Sequence, residues 1–237
     1  SEMCIRDRYD NMRNPVPTWY FKGYYLQYID GIPFKLKSTF DFSFMKEYGT
    51  VFKVYDDQDS GNICFGTEKD GQRYFVKFAG APTEQYGGDP ADAISRLKAT
   101  LPIYSDLKHE NLIELIEAKE IGDGFAMVFK WADGDCMGRM YPAAHRRFIQ
   151  LPINDRLAVF SDILSFLECV VSRNYVAIDF YDGSIMYEVG ANHQGQDMKL
   201  WLQYASDMTV TKEHTYGSRR RSVAVGAPSV SYTHLTL

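Results

Sequence analysis

Three tight reversals built on aspartate and glycine constrain this chain more than any other feature. Asp30-Gly31, Lys69-Asp70-Gly71 and Gly122-Asp123-Gly124 each lie between two short runs rich in aromatic and β-branched residues. A two-residue hairpin loop needs positive φ at its centre, which aspartate and glycine supply at low cost. Each reversal therefore predicts a pair of sequential antiparallel strands. The first joins the two halves of "YYLQYIDGIPFKL" (24–36), the second joins "NICFGTE" (62–68) to "QRYFVKFAG" (72–80), and the third joins "NLIELIEAKEI" (111–121) to "FAMVFKW" (125–131). A further strand-like run, "TVFKVY", occupies residues 50–55.

Helical signals fall between and after these runs. An irregular stretch, "APTEQYGGDP", leads into "ADAISRLKAT", where Ala91, Ile94 and Leu97 recur at helical spacing behind Asp89 as N-cap and Pro90 in the first turn. Beyond Asp133-Gly134, "NDRLAVFSDILSFLECVVSR" carries Leu157, Phe160, Ile163, Leu164 and Leu167, read as one face of a long amphipathic helix. A strand-like segment around two aspartates follows. The expected class is α+β: one five-stranded antiparallel sheet with strands near 50–55, 62–68, 72–78, 112–119 and 125–131, and a single helix over 91–99.

Composition narrows the context. The net charge of −5, with Arg219-Arg220-Arg221 as the one basic run, gives no footprint for nucleic acid. No apolar stretch reaches the ~18 residues that would span a bilayer, so no membrane partner is expected. With Cys4 set aside in the adapter-like segment described next, Cys64, Cys136 and Cys169 remain, widely spaced and odd in number, which points to free thiols in a reducing cytoplasm and not to a disulfide frame or zinc site. The two ends are related at the level of codons: Glu2–Arg8 can be written as the reverse complement of Ser229–Leu235. A single DNA adapter joined in opposite orientations to both ends of a fragment produces this relation. Residues 1–8 and 229–237 are therefore expected to be adapter-like and non-native, and are set apart from the fold.

Four segments, in order, resemble motifs of the protein-kinase superfamily, specifically the bacterial eukaryotic-type serine/threonine kinases. "YFVKFAG" resembles the third-strand motif, "LKHENLIELIEA" the segment after the regulatory helix, "FAMVFKWADGDCM" the fifth strand and hinge, and "YVAIDFYDGSIMY" the catalytic loop. The resemblance covers about residues 50–188, with a fainter echo in "YGSRR" near 220. It implies a kinase-like fold with a β extension over 9–48, an N-lobe over 49–131 and a partial, mostly helical C-lobe over 132–228. It further implies an ATP-dependent phosphotransferase acting on serine or threonine of a protein substrate, with ATP and magnesium as cofactors.

Residue by residue, the resemblance makes Lys77 the lysine that pairs with nucleotide phosphates and Asp179 the catalytic aspartate. Val54, Gly61, Phe129, Lys130, Trp131 and Ala132 would contact the nucleotide, and Ser184 or Asp182 would hold magnesium. Blander readings stand beside these: Lys77 as an edge-strand lysine, Phe129 as core, Asp179 and Asp182 as a turn. The chain also departs from the pattern. "DDQDSGN" replaces the Gly-rich loop, Thr100 stands where a glutamate should pair with Lys77, and Ala177-Ile178 replace histidine and arginine before Asp179. Asp207 is the one candidate for the later metal-binding aspartate, and residues 190–228 carry no clear periodicity, as either a shifted reading frame or true divergence would produce. The expected function is thus a kinase fragment, inactive through truncation, with a non-catalytic kinase-like module as the alternative.

Overall fold

The computed structural model describes residues 19–21, 23–177, 180–188, 199–202 and 208–209. The chain divides into two compact units. One comprises residues up to Leu97 together with Leu115–Trp131, and the other Lys98–Glu114 and the residues from Ala132 onward.

The first unit holds two antiparallel sheets. Strands β1 (Trp19–Phe21), β2 (Tyr24–Ile29) and β3 (Ile32–Leu36) form the smaller, followed by a 3-10 helix over Ser43–Tyr48. Strands β4 (Thr50–Tyr55), β5 (Asn62–Lys69), β6 (Gln72–Ala79), β7 (Leu115–Ile121) and β8 (Gly124–Lys130) form the larger, in the order β4-β5-β6-β8-β7 with every neighbouring pair antiparallel. Helix α1 (Pro90–Ala99) is inserted between β6 and β7. Two of the reversals take the expected geometry, Asp30 and Gly31 having φ of 47° and 82° and Asp70 and Gly71 of 54° and 74°; in the third only Gly122, at 56°, has positive φ and Asp123 does not. Asp89 caps α1 as expected, its Oδ1 accepting the Ala91 N–H at 2.9 Å.

Three expectations shift in detail. Two helices, not one, fall between β6 and β7, since α1 is followed by a short helix over Leu101–Asp106. Strand β7 begins at Leu115, not near 112, because Leu112 is buried in the core of the other unit. The buried residues of α1 are Ala93 and Leu97, whereas Ala91 is exposed.

One face of the large sheet carries Ile63, Phe65, Val76, Phe78, Ala126 and Val128. These pack in one cluster with Phe34, Leu36, Phe42, Met45 and Tyr48 from the preceding segment. The Phe42 ring lies edge-on to Phe65 at 5.2 Å, and Phe44 meets Phe78 at 4.8 Å between centroids. Side chains on the opposite face, Cys64, Met127 and Phe129 among them, are buried as well. A sheet covered on both faces needs strands apolar throughout rather than alternating, which accounts for the unbroken runs in β5 and β8.

The second unit contains α2 (Leu101–Asp106), β9 (Asp135–Cys136), α3 (Pro142–Gln150), α4 (Ile153–Ser172), β10 (Val176–Ala177), a 3-10 turn over Asp182–Ser184, β11 (Ile185–Glu188), β12 (Lys199–Leu202) and β13 (Met208–Thr209). Strand β11 lies between β12 and β9, and β10 pairs with β13. The core gathers Ile103, Leu107, Phe148, Val159, Phe166, Val170 and Tyr187, among others. On α4 the buried residues are Asp155, Val159, Ile163, Phe166 and Val170. This corrects the face expected from periodicity: Leu157, Phe160 and Leu164 are exposed, Leu167 is half-buried, and Ile163 alone of that set is buried. The helix carries two apolar stripes about 120° apart at 100° per residue, and the core takes the other one. Among the described residues, no helix is long and apolar enough to cross a membrane.

Candidate functional site on the Lys77 face

Strand β6 is the middle strand of the large sheet, and Lys77 lies opposite Cys64 of β5 and Met127 of β8. Directly opposed residues in antiparallel strands point to one face, so Cys64, Lys77 and Met127 share it. Gly66, Phe75 and Phe129, paired two positions along, lie on the same side. The Lys77 side chain is half-buried and makes no hydrogen bond or ion pair with any described residue. Burial pushes the Cys64 thiol up to about 11, against the pull of the neighbouring Lys77 charge.

Phe129 is 3% exposed and part of the core on this face. Trp131 donates its backbone N–H to Arg73 O at 3.1 Å, and its ring stands edge-on to Phe52 at 5.0 Å. Both rings occupy the space above Gly66, where an added Cβ would lie 2.8 Å from Phe52 and 2.9 Å from Trp131. Val54 and Lys130 do not join this group. Val54 pairs with Phe65 and packs into the cluster on the opposite face, and the exposed Lys130 pairs with Tyr74. Alternation along the strands carries both away from Lys77.

The β4–β5 loop stands where the resemblance calls for a glycine-rich turn. It is held by the chain's own groups. The Lys35 N–H donates to Asp56 Oδ2 at 2.7 Å, the Gln85 amide donates to Asp57, and Arg96 Nη2 donates to Ser60 O at 3.1 Å. Gly61 is buried with φ of 79°, and an added Cβ would meet the Tyr86 ring at 2.7 Å and Ala93 at 2.8 Å. Glycine is required there by left-handed backbone and by Tyr86 and Ala93 seated against it. The Arg96 guanidinium lies over the same Tyr86 ring, 5.0 Å from its centroid.

Ala132, Asp182 and Ser184 belong to the second unit, where Ala132 is buried. Asp182 and Ser184 sit in the 3-10 turn; Asp182 Oδ2 accepts the Arg139 N–H at 3.3 Å, and its carbonyl accepts a weak contact from the Cys136 thiol. Asp179 lies outside the described residues, as do Asp207 and residues 216–220. Thr100 is buried at the start of α2. Among the described residues no three His, Cys, Asp or Glu side chains gather closely enough to hold a metal ion.

Sequence reasoning missed two clusters in the second unit. Arg147 on α3 makes a two-pronged ion pair with Asp135, Nε to Oδ2 at 2.5 Å and Nη2 to Oδ1 at 2.6 Å, which lowers the Asp135 carboxyl below the usual range. The pair lines an open cavity of about 660 Å³ with Gln150, Tyr187 and Glu188. His109 Nδ1 accepts the Asn111 N–H at 3.2 Å, so its Nε2 faces Ser165 Oγ, 3.2 Å away, as donor. That tautomer ties a loop to α4 and leaves the serine without a base. No local spacing links these residues, so no motif could have named them.

No known protein-family model matches the chain, and no curated protein matches it. The site therefore stands on its own geometry: an ammonium without an acidic partner among the described residues, on a sheet face otherwise lined by aromatic, thioether and thiol groups. Such a face can take an anionic group beside a flat apolar one.

Proposed function

We propose that this chain is part of an ATP-dependent phosphotransferase with a kinase-like fold, acting on a hydroxyl of a protein substrate. The observation that carries the reading is Lys77: a half-buried ammonium in the middle strand of a five-stranded antiparallel sheet, with α1 inserted after that strand, and no acidic partner among the described residues. A half-buried ammonium is costly unless an anion meets it, and a nucleotide phosphate is the anion the four motifs imply. In this reading Phe129 and Trp131 line the adenine side, Asp179 orients the acceptor hydroxyl and takes its proton, and Asp182 and Ser184 hold magnesium, which neutralises charge on the phosphates.

A second reading, a non-catalytic kinase-like module that binds nucleotide or a protein, is favoured by the β4–β5 loop. Asp56, Asp57 and Asp59 crowd that loop, and carboxylates repel phosphate where backbone N–H groups would attract it. One experiment separates the readings. Titration of the purified chain with ATP and magnesium, followed by thermal shift, is expected to show binding that Lys77→Met weakens at least tenfold. No binding to either protein sinks both nucleotide readings. Phosphate transfer to a generic protein acceptor, lost in Asp179→Asn, decides for the enzyme; binding without transfer by the full-length parent decides for the module. For the 237-residue chain itself, no transfer is expected.

A further inference from the structure

We propose that Asn62 is a second anion-binding residue on the Lys77 face, where its side-chain amide meets the outermost phosphate of the ligand that Lys77 holds; the assignment rests on the anion-binding reading of Lys77. Asn62 pairs with Ala79, two positions from the Cys64–Lys77 pair, so strand alternation sets it on the face of Cys64 and Lys77. It is 6% exposed. One end of the amide is used locally, Nδ2 donating to Ser60 Oγ at 3.0 Å. The other end, Oδ1, is shut away from solvent and makes no hydrogen bond. A buried polar atom left unpaired is costly and calls for an explanation. This one shares a sheet face with an ammonium that itself has no partner among the described residues.

The sheet sets the distances. Diagonal neighbours of an antiparallel pair stand ~7–8 Å apart, within reach of a long side chain, so Lys77 and Asn62 can hold one group between them. The amide serves in either sense, because the Ser60 hydroxyl can accept from Nδ2 or donate to Oδ1. Turned over, it keeps its bond to Ser60 and offers Nδ2 to the sheet face as a donor. An ammonium and an amide N–H converging on one point select an anion. The surroundings agree: Arg96 brings a further cation to this end, with Nη2 on Ser60 O at 3.1 Å. Of the nearby carboxylates, Asp56 is held by the Lys35 N–H and Asp57 by the Gln85 amide, and Asp59 is exposed. Order along the face fixes the direction of the ligand. Gly66, Phe75 and Phe129 lie on one side of the Lys77 row and Asn62 on the other. A ligand with its flat group at the aromatic end and a phosphate on Lys77 therefore runs its last phosphate to Asn62.

Calorimetric titration of the full chain with inorganic tripolyphosphate, and separately with ATP and magnesium, tests the assignment. Asn62→Asp is the decisive variant: a carboxylate of the same shape keeps the bond from the Ser60 hydroxyl and turns only the inner end from donor to anion. Tripolyphosphate is expected to bind the parent chain, and to bind Asn62→Asp about tenfold or more weakly, at unchanged far-UV circular dichroism. Asn62→Ala buries no charge and is the second variant, expected to weaken binding about threefold or more. Unchanged affinity in both variants overturns the proposal, while ATP binding that still needs Lys77 would leave the nucleotide reading standing. Tripolyphosphate binding lost in Asn62→Asp, in a chain that ignores ATP, upholds the anion site and removes the nucleotide. A parent chain that binds neither compound overturns both.

Discussion

Cys64 and Lys77 face each other across the β5–β6 pair, and their opposition can be titrated. Burial, the larger influence, raises the thiol from its ordinary 9 to about 11, and the Lys77 charge pulls it the other way. The neutral thiol is the favoured form in the folded protein. Its contribution to stability is therefore complete below pH 9 and is lost as pH rises from 9 through 11. In a variant whose other cysteines are replaced by serine, thiolate absorbance should rise with a midpoint near 11. In Lys77→Met the midpoint should move higher still, because the one lowering influence is gone. An unchanged midpoint in that variant would mean that the ammonium points away from the thiol, and would weaken the nucleotide-facing reading of Lys77 as well.

At the scale of elements, α4 shows what a sequence pattern can and cannot decide. Its apolar residues announce a long helix, and the helix is there from Ile153 to Ser172. Periodicity cannot choose between two stripes that are both apolar, and the core chose the one through Val159, Phe166 and Val170. Phe166→Ala should therefore cost about 3–5 kcal/mol in urea denaturation, the usual range for emptying a buried phenyl site. Leu164→Ala, read at submicromolar concentration, should change stability by less than about 0.5 kcal/mol. The opposite ranking would return the helix to the orientation that the spacing first suggested. The hairpins were legible because their cause is local: Asp30-Gly31 and Asp70-Gly71, and Gly122 in the third, accept positive φ at low cost. The start of β7 was not, because Leu112 is captured by a core remote in sequence.

For the whole molecule, the strand register puts Lys77, Phe129 and Trp131 on one face of one sheet, a grouping that the motifs named only as nucleotide contacts. Val54, named with them, is sent by its pairing with Phe65 to the other face. The motifs were silent on Lys35, Gln85 and Arg96, which reach the β4–β5 loop from three separate segments. The segment before Gly49 was expected to be a β extension, and its described residues also supply one side of a core. Phe34, Leu36, Phe42, Met45 and Tyr48 cover Ile63, Phe65, Val76, Phe78 and Val128, all under 7% exposed. Each such side chain contributes roughly 1.5–3 kcal/mol on burial, and a domain as a whole is stable by only ~5–15 kcal/mol. Uncovering five of them at once should exceed that margin. A chain beginning at Gly49 is therefore expected to lose the cooperative thermal transition of the first unit and to bind a hydrophobic dye at room temperature. Limited proteolysis should cut within β5 and β6 of the shortened chain and spare them in the full one. A shortened chain that melts cooperatively near the parent temperature would show that the large sheet closes its own core, and that the β2–β3 hairpin is an ornament on it.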